Sequence, residues 1–125
     1  MIENQVSEMV IGAAVEVHRC LGPGLLESAY ANALAIELQL RNCSFERELG
    51  IRAIYKGQDL GVSYRADFLV RDCVLVELKA VDALSPQHEA QLLSYLRLSD
   101  KRLGLLINFN QPTLLKGLRR LVNQL

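Results

Sequence analysis

Residues 64–80 read YRADFLVRDCVLVELKA, and this stretch decides the fold. Two short apolar runs, Phe68-Leu-Val70 and Cys73-Val-Leu-Val76, flank the charged pair Arg71-Asp72. Runs this short, rich in β-branched and aromatic residues, read as strands, and the charged break between them reads as a hairpin turn. Asp67, Glu77 and Lys79 interrupt the apolar pattern. Side chains alternate across a strand, so Glu77 and Lys79 share one face while Val76 and Leu78 take the other. A three-residue turn, Arg71 to Cys73, would set Asp67 directly opposite Glu77. Two carboxylates and an ammonium then converge. Charges held inward on a buried hairpin are costly unless they pair, bind a metal or do chemistry. Any joint chemistry requires Asp67 and Glu77 on the same side of the sheet.

Outward from this hairpin the chain divides cleanly. Upstream, Phe45 to Tyr55 alternates in part, with Leu49, Ile51, Ala53 and Tyr55 sharing one parity, and predicts a strand. Lys56-Gly-Gln-Asp59 is a turn, and Leu60 to Val70 is the second strand. Cys73 to Leu78 is the third, which makes a three-strand antiparallel meander. Before the meander, Val6, Val10, Ala13, Ala14, Val17 and Leu21 recur at helical spacing and predict a helix over residues 3–21. Gly22-Pro23-Gly24 ends it. A second helix should run from Leu25 or Leu26 to Arg41, packing through Leu26, Tyr30, Leu34 and Leu38. Ala29, Ala33, Ile36 and Leu40 widen that stripe, and Glu27 lies in the first turn, where the helix dipole favours an acid.

Downstream, Ser85-Pro86 is a helix start, with serine as cap and proline at the first helical position. That helix reaches about Leu98 and should pack through Ala90, Leu92, Leu93 and Leu96. Leu103 to Phe109 is a near-continuous apolar run, as expected of a buried strand. Asn110-Gln-Pro112 breaks the chain, and Leu114 to Leu125 predicts a last amphipathic helix. A helix between the third and fourth strands implies a parallel pair with a right-handed crossover.

Bulk composition sets the outer bounds. At 125 residues the chain is expected to be one domain, 1–125, and half its residues are hydrophobic with 22% charged, a globular balance. No apolar run is long enough to span a bilayer, and the start Met1-Ile-Glu-Asn is acidic where a secretory signal is basic. Cys20, Cys43 and Cys73 have no metal-type spacing and read as reduced thiols of a cytoplasmic protein. Formal net charge is zero, so nucleic acid would have to be met by a local patch.

Asp67, nine intervening residues and then Glu77-Leu78-Lys79, on a hairpin between helices, resembles the PD-(D/E)XK nuclease superfamily. The segment Gly24-Leu-Leu-Glu27-Ser-Ala-Tyr30 resembles the GxxExxY motif of one branch, the GxxExxY proteins. The likeness extends from Val15-Glu-Val-His18-Arg to Leu103-Gly-Leu-Leu-Ile-Asn-Phe109, and Ala66 stands where the superfamily name has proline. The resemblance implies a restriction-endonuclease-like α/β fold with a small, mixed four-stranded sheet flanked by helices. It further implies a metal-dependent nuclease, acting on DNA in preference to RNA, with Mg²⁺ or Mn²⁺ as the ion. Asp67, Glu77 and Glu27 would coordinate it, together with the Leu78 carbonyl. Lys79 would orient water and stabilise phosphate charge, and Gln91 and Tyr95 resemble a Q-x-x-x-Y pair that contacts water or phosphate.

Each residue also has a plainer role. Glu77 and Lys79 could form a solvated strand face, Glu27 a helix start, and Tyr30 a packing residue with a hydroxyl. His18 and His88 read first as structural, with a site role second. Arg97, Lys101, Arg102, Lys116, Arg119 and Arg120 read first as scattered surface charge and second as a phosphate-binding surface. A nuclease fold kept for binding nucleic acid or a protein partner is the alternative from another class. A chain this small has little surface for a long site, which a homodimer or larger complex would supply.

Overall fold

A computed structural model describes residues 2–124. The elements are helix α1 (Ile2–Leu21), helix α2 (Glu27–Leu40), strands β1 (Phe45–Tyr55), β2 (Gln58–Val70) and β3 (Val74–Lys79), helix α3 (Pro86–Ser99), strand β4 (Leu103–Asn108), a 3-10 turn (Leu114–Gly117) and strand β5 (Leu118–Val122). The sheet has five strands in sequence order, all neighbours antiparallel except β3 and β4. That parallel pair is joined through α3, as the helical crossover requires.

The predicted last helix is corrected. Over Leu114–Leu125 the chain makes the 3-10 turn and then pairs β5 with β4, which raises the expected four strands to five; Leu125 lies outside the described residues. Leu118 and Leu121, three apart, fit a helical stripe as well as a short strand, so spacing alone does not decide. Tertiary packing does. The buried strand β4 needs a partner for its second edge. Gly117 lies so close to the Asn108 carbonyl that a Cβ there would sit 2.0 Å from its oxygen. Asn123 then locks the return, its backbone N–H donating to the Arg102 carbonyl at 2.8 Å.

Two apolar cores lie on opposite faces of the sheet. The larger joins α1 and α2 to Phe68, Val70, Val74, Val76, Leu78, Leu103, Leu105 and Ile107. The smaller places Leu92, Tyr95 and Leu96 of α3 against Ile51, Ala66, Leu69, Leu75 and Leu106. The buried stripe of α1 follows the predicted spacing from Val6 to Val17, whereas Leu21, at the helix end, is exposed. On the other two long helices it is narrower. Leu26, Ile36 and Leu40 of the second-helix segment are exposed, as is Ala90 of α3, because only α1 and the sheet cover α2, and only the sheet covers α3.

The β1–β2 hairpin changes faces partway along. Phe45 and Phe68 belong to the α1/α2 core, whereas Leu49, Ile51 and Ala66 belong to the α3 core. Residues of one parity thus reach both faces, which simple alternation does not allow. The crossing lies at Glu48, whose φ of 52° is left-handed, and at Asp67 across from it. Glu48–Asp67 is the pair missing from a register that is otherwise continuous from Phe45↔Val70 to Arg52↔Ser63. Beyond it the hairpin continues over α3.

Candidate metal and phosphate site

The second hairpin places the first two charged residues. Its turn is Arg71-Asp72-Cys73, with Arg71 and Asp72 at φ 49° and 59° and the Cys73 N–H donating to the Val70 carbonyl at 3.1 Å. Two successive positive φ values are what a tight hairpin turn of the primed type demands. The register is then Val70↔Val74, Leu69↔Leu75 and Phe68↔Val76. Its next step sets Asp67 opposite Glu77.

At that step backbone pairing stops and carboxylates take over. The Asp67 N–H, released from β1 by the missing Glu48 pair, donates to Glu77 Oε1 at 2.7 Å. The Leu78 N–H donates to Asp67 Oδ2, also at 2.7 Å. Each carboxyl thus lies against the backbone of the opposite strand, close enough for the Asp67 charge to act on Glu77. A strand residue directs its N–H and C=O to the same side, so the Leu78 carbonyl also faces the gap between β2 and β3.

Burial makes this pair electrostatically demanding. Glu77 is 6% exposed, and its carboxyl is pushed up to about 7, first by burial and then by the charge of Asp67. The Asp67 N–H and the Lys79 charge act against that rise. Asp67 is raised by burial, with the Leu78 N–H and the charges of Lys79 and Arg47 opposing. Arg47 itself lies over the Phe68 ring at 5.4 Å and donates to Asn32 Oδ1 at 2.9 Å, which pins β1 to α2 beside the site.

Glu27 reaches this field from the other layer. Its carboxyl is raised by partial burial and by Asp67, and lowered by Lys79. The local fold explains how the helix start is aimed. Gly24 adopts φ 101°, and the Tyr30 hydroxyl donates to the Gly22 carbonyl at 2.5 Å while accepting from the Leu25 N–H at 3.1 Å. Tyr30 also stacks on Phe109 at 4.5 Å. Within the Gly24–Tyr30 motif the glycine and tyrosine therefore shape the loop that presents Glu27.

Asp67 and Glu77 suit a hard cation. Each has one oxygen held by a backbone N–H and a second oxygen not so engaged. Magnesium commonly takes one or two protein carboxylates and keeps several waters. Among the described residues, no three His, Cys, Asp or Glu side chains come close enough to form a ready cage. Glu27 is thus within electrostatic reach of the pair without closing a three-ligand cluster. On α3, Tyr95 is buried, its hydroxyl raised by burial and then by Glu77, whereas Gln91 is exposed and lines a cleft shared with Tyr95.

Both histidines sit in structural contacts. His18 Nε2 donates to the Gln111 carbonyl at 2.8 Å and stacks on Phe109, and His88 completes the Ser85 capping box through Nδ1. The basic residues are dispersed: Lys101 pairs with Asp72, Arg120 with Asn4, and Arg119 with the Lys116 carbonyl. Sequence spacing missed Asn108, which is fully buried and exchanges hydrogen bonds with both backbone groups of Val81, two residues after Lys79. It also missed Arg47 and Glu48. A lone asparagine ending an apolar run was the only available signal for the first, and a left-handed glutamate has none.

A family model described as the PD-(D/E)XK nuclease superfamily matches residues 4–121. Comparison with curated proteins gives no match. Among solved structures, the crystal structure of SSO0001 superposes with a TM-score of 0.52 at 19% identity, over 96% of this chain and 66% of that one. This chain therefore spans just under two thirds of that protein, and the likeness is one of fold.

Proposed function

This chain belongs to the PD-(D/E)XK nuclease superfamily, and from that premise we propose that it hydrolyses nucleic-acid phosphodiesters with Mg²⁺ or Mn²⁺, DNA being the preferred substrate. The superfamily generally uses divalent metals. The observation that carries the proposal is that, where β2–β3 backbone pairing ends, the Glu77 carboxyl accepts from the Asp67 N–H and the Asp67 carboxyl accepts from the Leu78 N–H. We assign the chain to the GxxExxY branch on Gly24, Glu27 and Tyr30.

Asp67 and Glu77 would hold the cation through their remaining oxygens, with the Leu78 carbonyl as a third donor. When bound, the ion supplies a more acidic coordinated water and neutralises phosphate charge. Lys79, on the Glu77 face of β3, orients the attacking water and donates to a phosphate oxygen. Glu27, within electrostatic reach of Asp67 and Lys79, would hold a water beside the cation. Tyr95 and Gln91 contact the phosphate or its water from α3. The two backbone N–H donors keep both carboxylates aimed, so little reorganisation is needed when substrate arrives.

A second reading is favoured by one observation, the lack of a three-ligand cage among the described residues. On that reading the fold binds nucleic acid or a protein without cleaving. Purified protein is incubated with single-stranded, duplex and branched DNA and with RNA, in Mg²⁺, Mn²⁺ or EDTA. Metal-dependent cleavage that disappears in Asp67→Ala and in Lys79→Ala is the expected result. Cleavage surviving both substitutions overturns the site, and calorimetry showing no more Mn²⁺ binding than an Asp67→Ala/Glu77→Ala double variant favours the second reading.

A further inference from the structure

Beyond the face-crossing at Glu48 and Asp67, the β1–β2 hairpin and α3 enclose a cleft of about 450 Å³. Its volume is in the range of small-molecule sites, roughly 300–1,000 Å³. The hairpin contributes Leu60 and Tyr64, and α3 contributes Gln91, Tyr95, Arg97 and Leu98. The cleft lies on the side of the sheet next to the carboxylate pair: Tyr95, which lines it, packs in one core with Ala66 and Leu75, and Ala66 precedes Asp67 while Leu75 lies two before Glu77 on β3. Tyr64 and Tyr95 face each other with ring centres 5.8 Å apart and planes inclined by 37°.

We propose that this cleft is a nucleobase subsite, and that the substrate is single-stranded or locally unpaired nucleic acid whose base beside the scissile phosphate stacks against Tyr64. This deepens the nuclease reading and rests on it. The walls have the composition a base requires, with an aromatic face, aliphatic side chains at the rim and a few polar groups for its edge. Arg97, also in the lining, can meet the neighbouring phosphate.

Charge argues against duplex DNA as the ligand. Binding to a duplex without base contacts depends on neutralising many phosphates. The chain has formal net charge zero, and Arg52 and Lys101 are already paired with Asp59 and Asp72. Stacking adds affinity that a duplex, with its bases already stacked, does not draw from Tyr64, and a base inside a duplex cannot enter the cleft without leaving its stack.

The test measures binding in EDTA, so that it does not depend on cleavage. A labelled short oligothymidylate, the same strand with an abasic position, and a blunt duplex are titrated with wild type, Tyr64→Ala and Tyr64→Phe. Tyr64 is 44% exposed, so its truncation leaves the fold intact, which circular dichroism checks. Wild type should bind the single strand more tightly than the duplex. Tyr64→Ala should weaken single-strand binding by about tenfold or more, Tyr64→Phe should restore it, and duplex binding should not change. The fluorescence of a 2-aminopurine strand should be quenched by wild type and not by Tyr64→Ala. Unchanged binding by Tyr64→Ala, equal affinity for duplex, or no single-strand binding by wild type overturns the subsite. Cleavage by a protein in which Tyr64→Ala binds normally removes the subsite alone, whereas Tyr64-dependent stacking in a protein that cleaves nothing removes the hydrolysis alone.

Discussion

The β2–β3 hairpin has two ends that differ by one step of register. Toward the turn, Phe68↔Val76, Leu69↔Leu75 and Val70↔Val74 pair backbone to backbone, and all six residues are buried and apolar. At the next step the N–H groups of Asp67 and Leu78 donate instead to the carboxylates of Glu77 and Asp67. The first arrangement satisfies every N–H with a carbonyl and leaves the side chains to the two cores. The second gives the N–H groups to acids, and so keeps ionisable side chains at a place where burial alone would exclude them. A charged site can thus be built into a sheet without orphaning its backbone, provided that the strands part there.

Four perturbations test that contrast. The largest effect is expected at the open end. Asp67→Asn keeps a side-chain acceptor for the Leu78 N–H but removes the charge, and should lower the metal-dependent cleavage rate by about 10²–10³-fold with little change in melting temperature. An equal loss of stability and activity would mean that Asp67 is structural only. In the apolar sheet beside the turn end, Leu105→Ala, fully buried against α1 and α2, should cost about 2–5 kcal/mol in denaturant unfolding. A smaller cost would show that the core collapses around the gap.

The third perturbation is pH. Folding raises the Glu77 pKa to about 7 from an ordinary 4.5, so the folded state holds that proton more tightly than the unfolded chain. Its stabilising contribution is complete below the unfolded value and is lost as pH rises from 4.5 through about 7. Asp67 and Glu27 shift in the same direction. Metal-free protein should therefore be less stable near pH 8 than near pH 5, by on the order of 3 kcal/mol from Glu77. Thermal melts of the wild type and of Glu77→Gln should converge at the lower pH and separate at the higher, the variant being the more stable. The smallest effect is expected at Tyr30→Phe, which removes the hydroxyl that joins the Gly22 carbonyl to the Leu25 N–H. It should cost about 1–2 kcal/mol of stability, and any larger fall in activity would report on the aim of Glu27.

Much of this was legible because it is local. Ser85-Pro86 announces a helix, and the cap forms with His88 as its reciprocal partner. Glu77-Leu78-Lys79 alternates, and Val74, Val76 and Leu78 do enter one core while Leu75 enters the other. The three-residue turn carries Asp67 to its place by counting alone. Other features were not legible, because they depend on residues far apart. Leu118–Val122 becomes a strand only because β4 has an open edge, and Gly117 is needed only because Asn108 lies against it. The roles of His18 and Asn108 are set by Gln111 and Val81, which are distant in the chain.

Short-range periodicity and turn length sufficed for the order of elements through β4, for the hairpin pairing and for the acids that this pairing opposes, but not for the final strand. How those acids are housed is set by packing across the sheet. Glu48 turns left-handed, frees the Asp67 N–H for Glu77, and sends the far half of the hairpin across the sheet toward α3. Hydrogen-bond satisfaction across three strands is a property of their joint arrangement, and no single stretch of residues contains it.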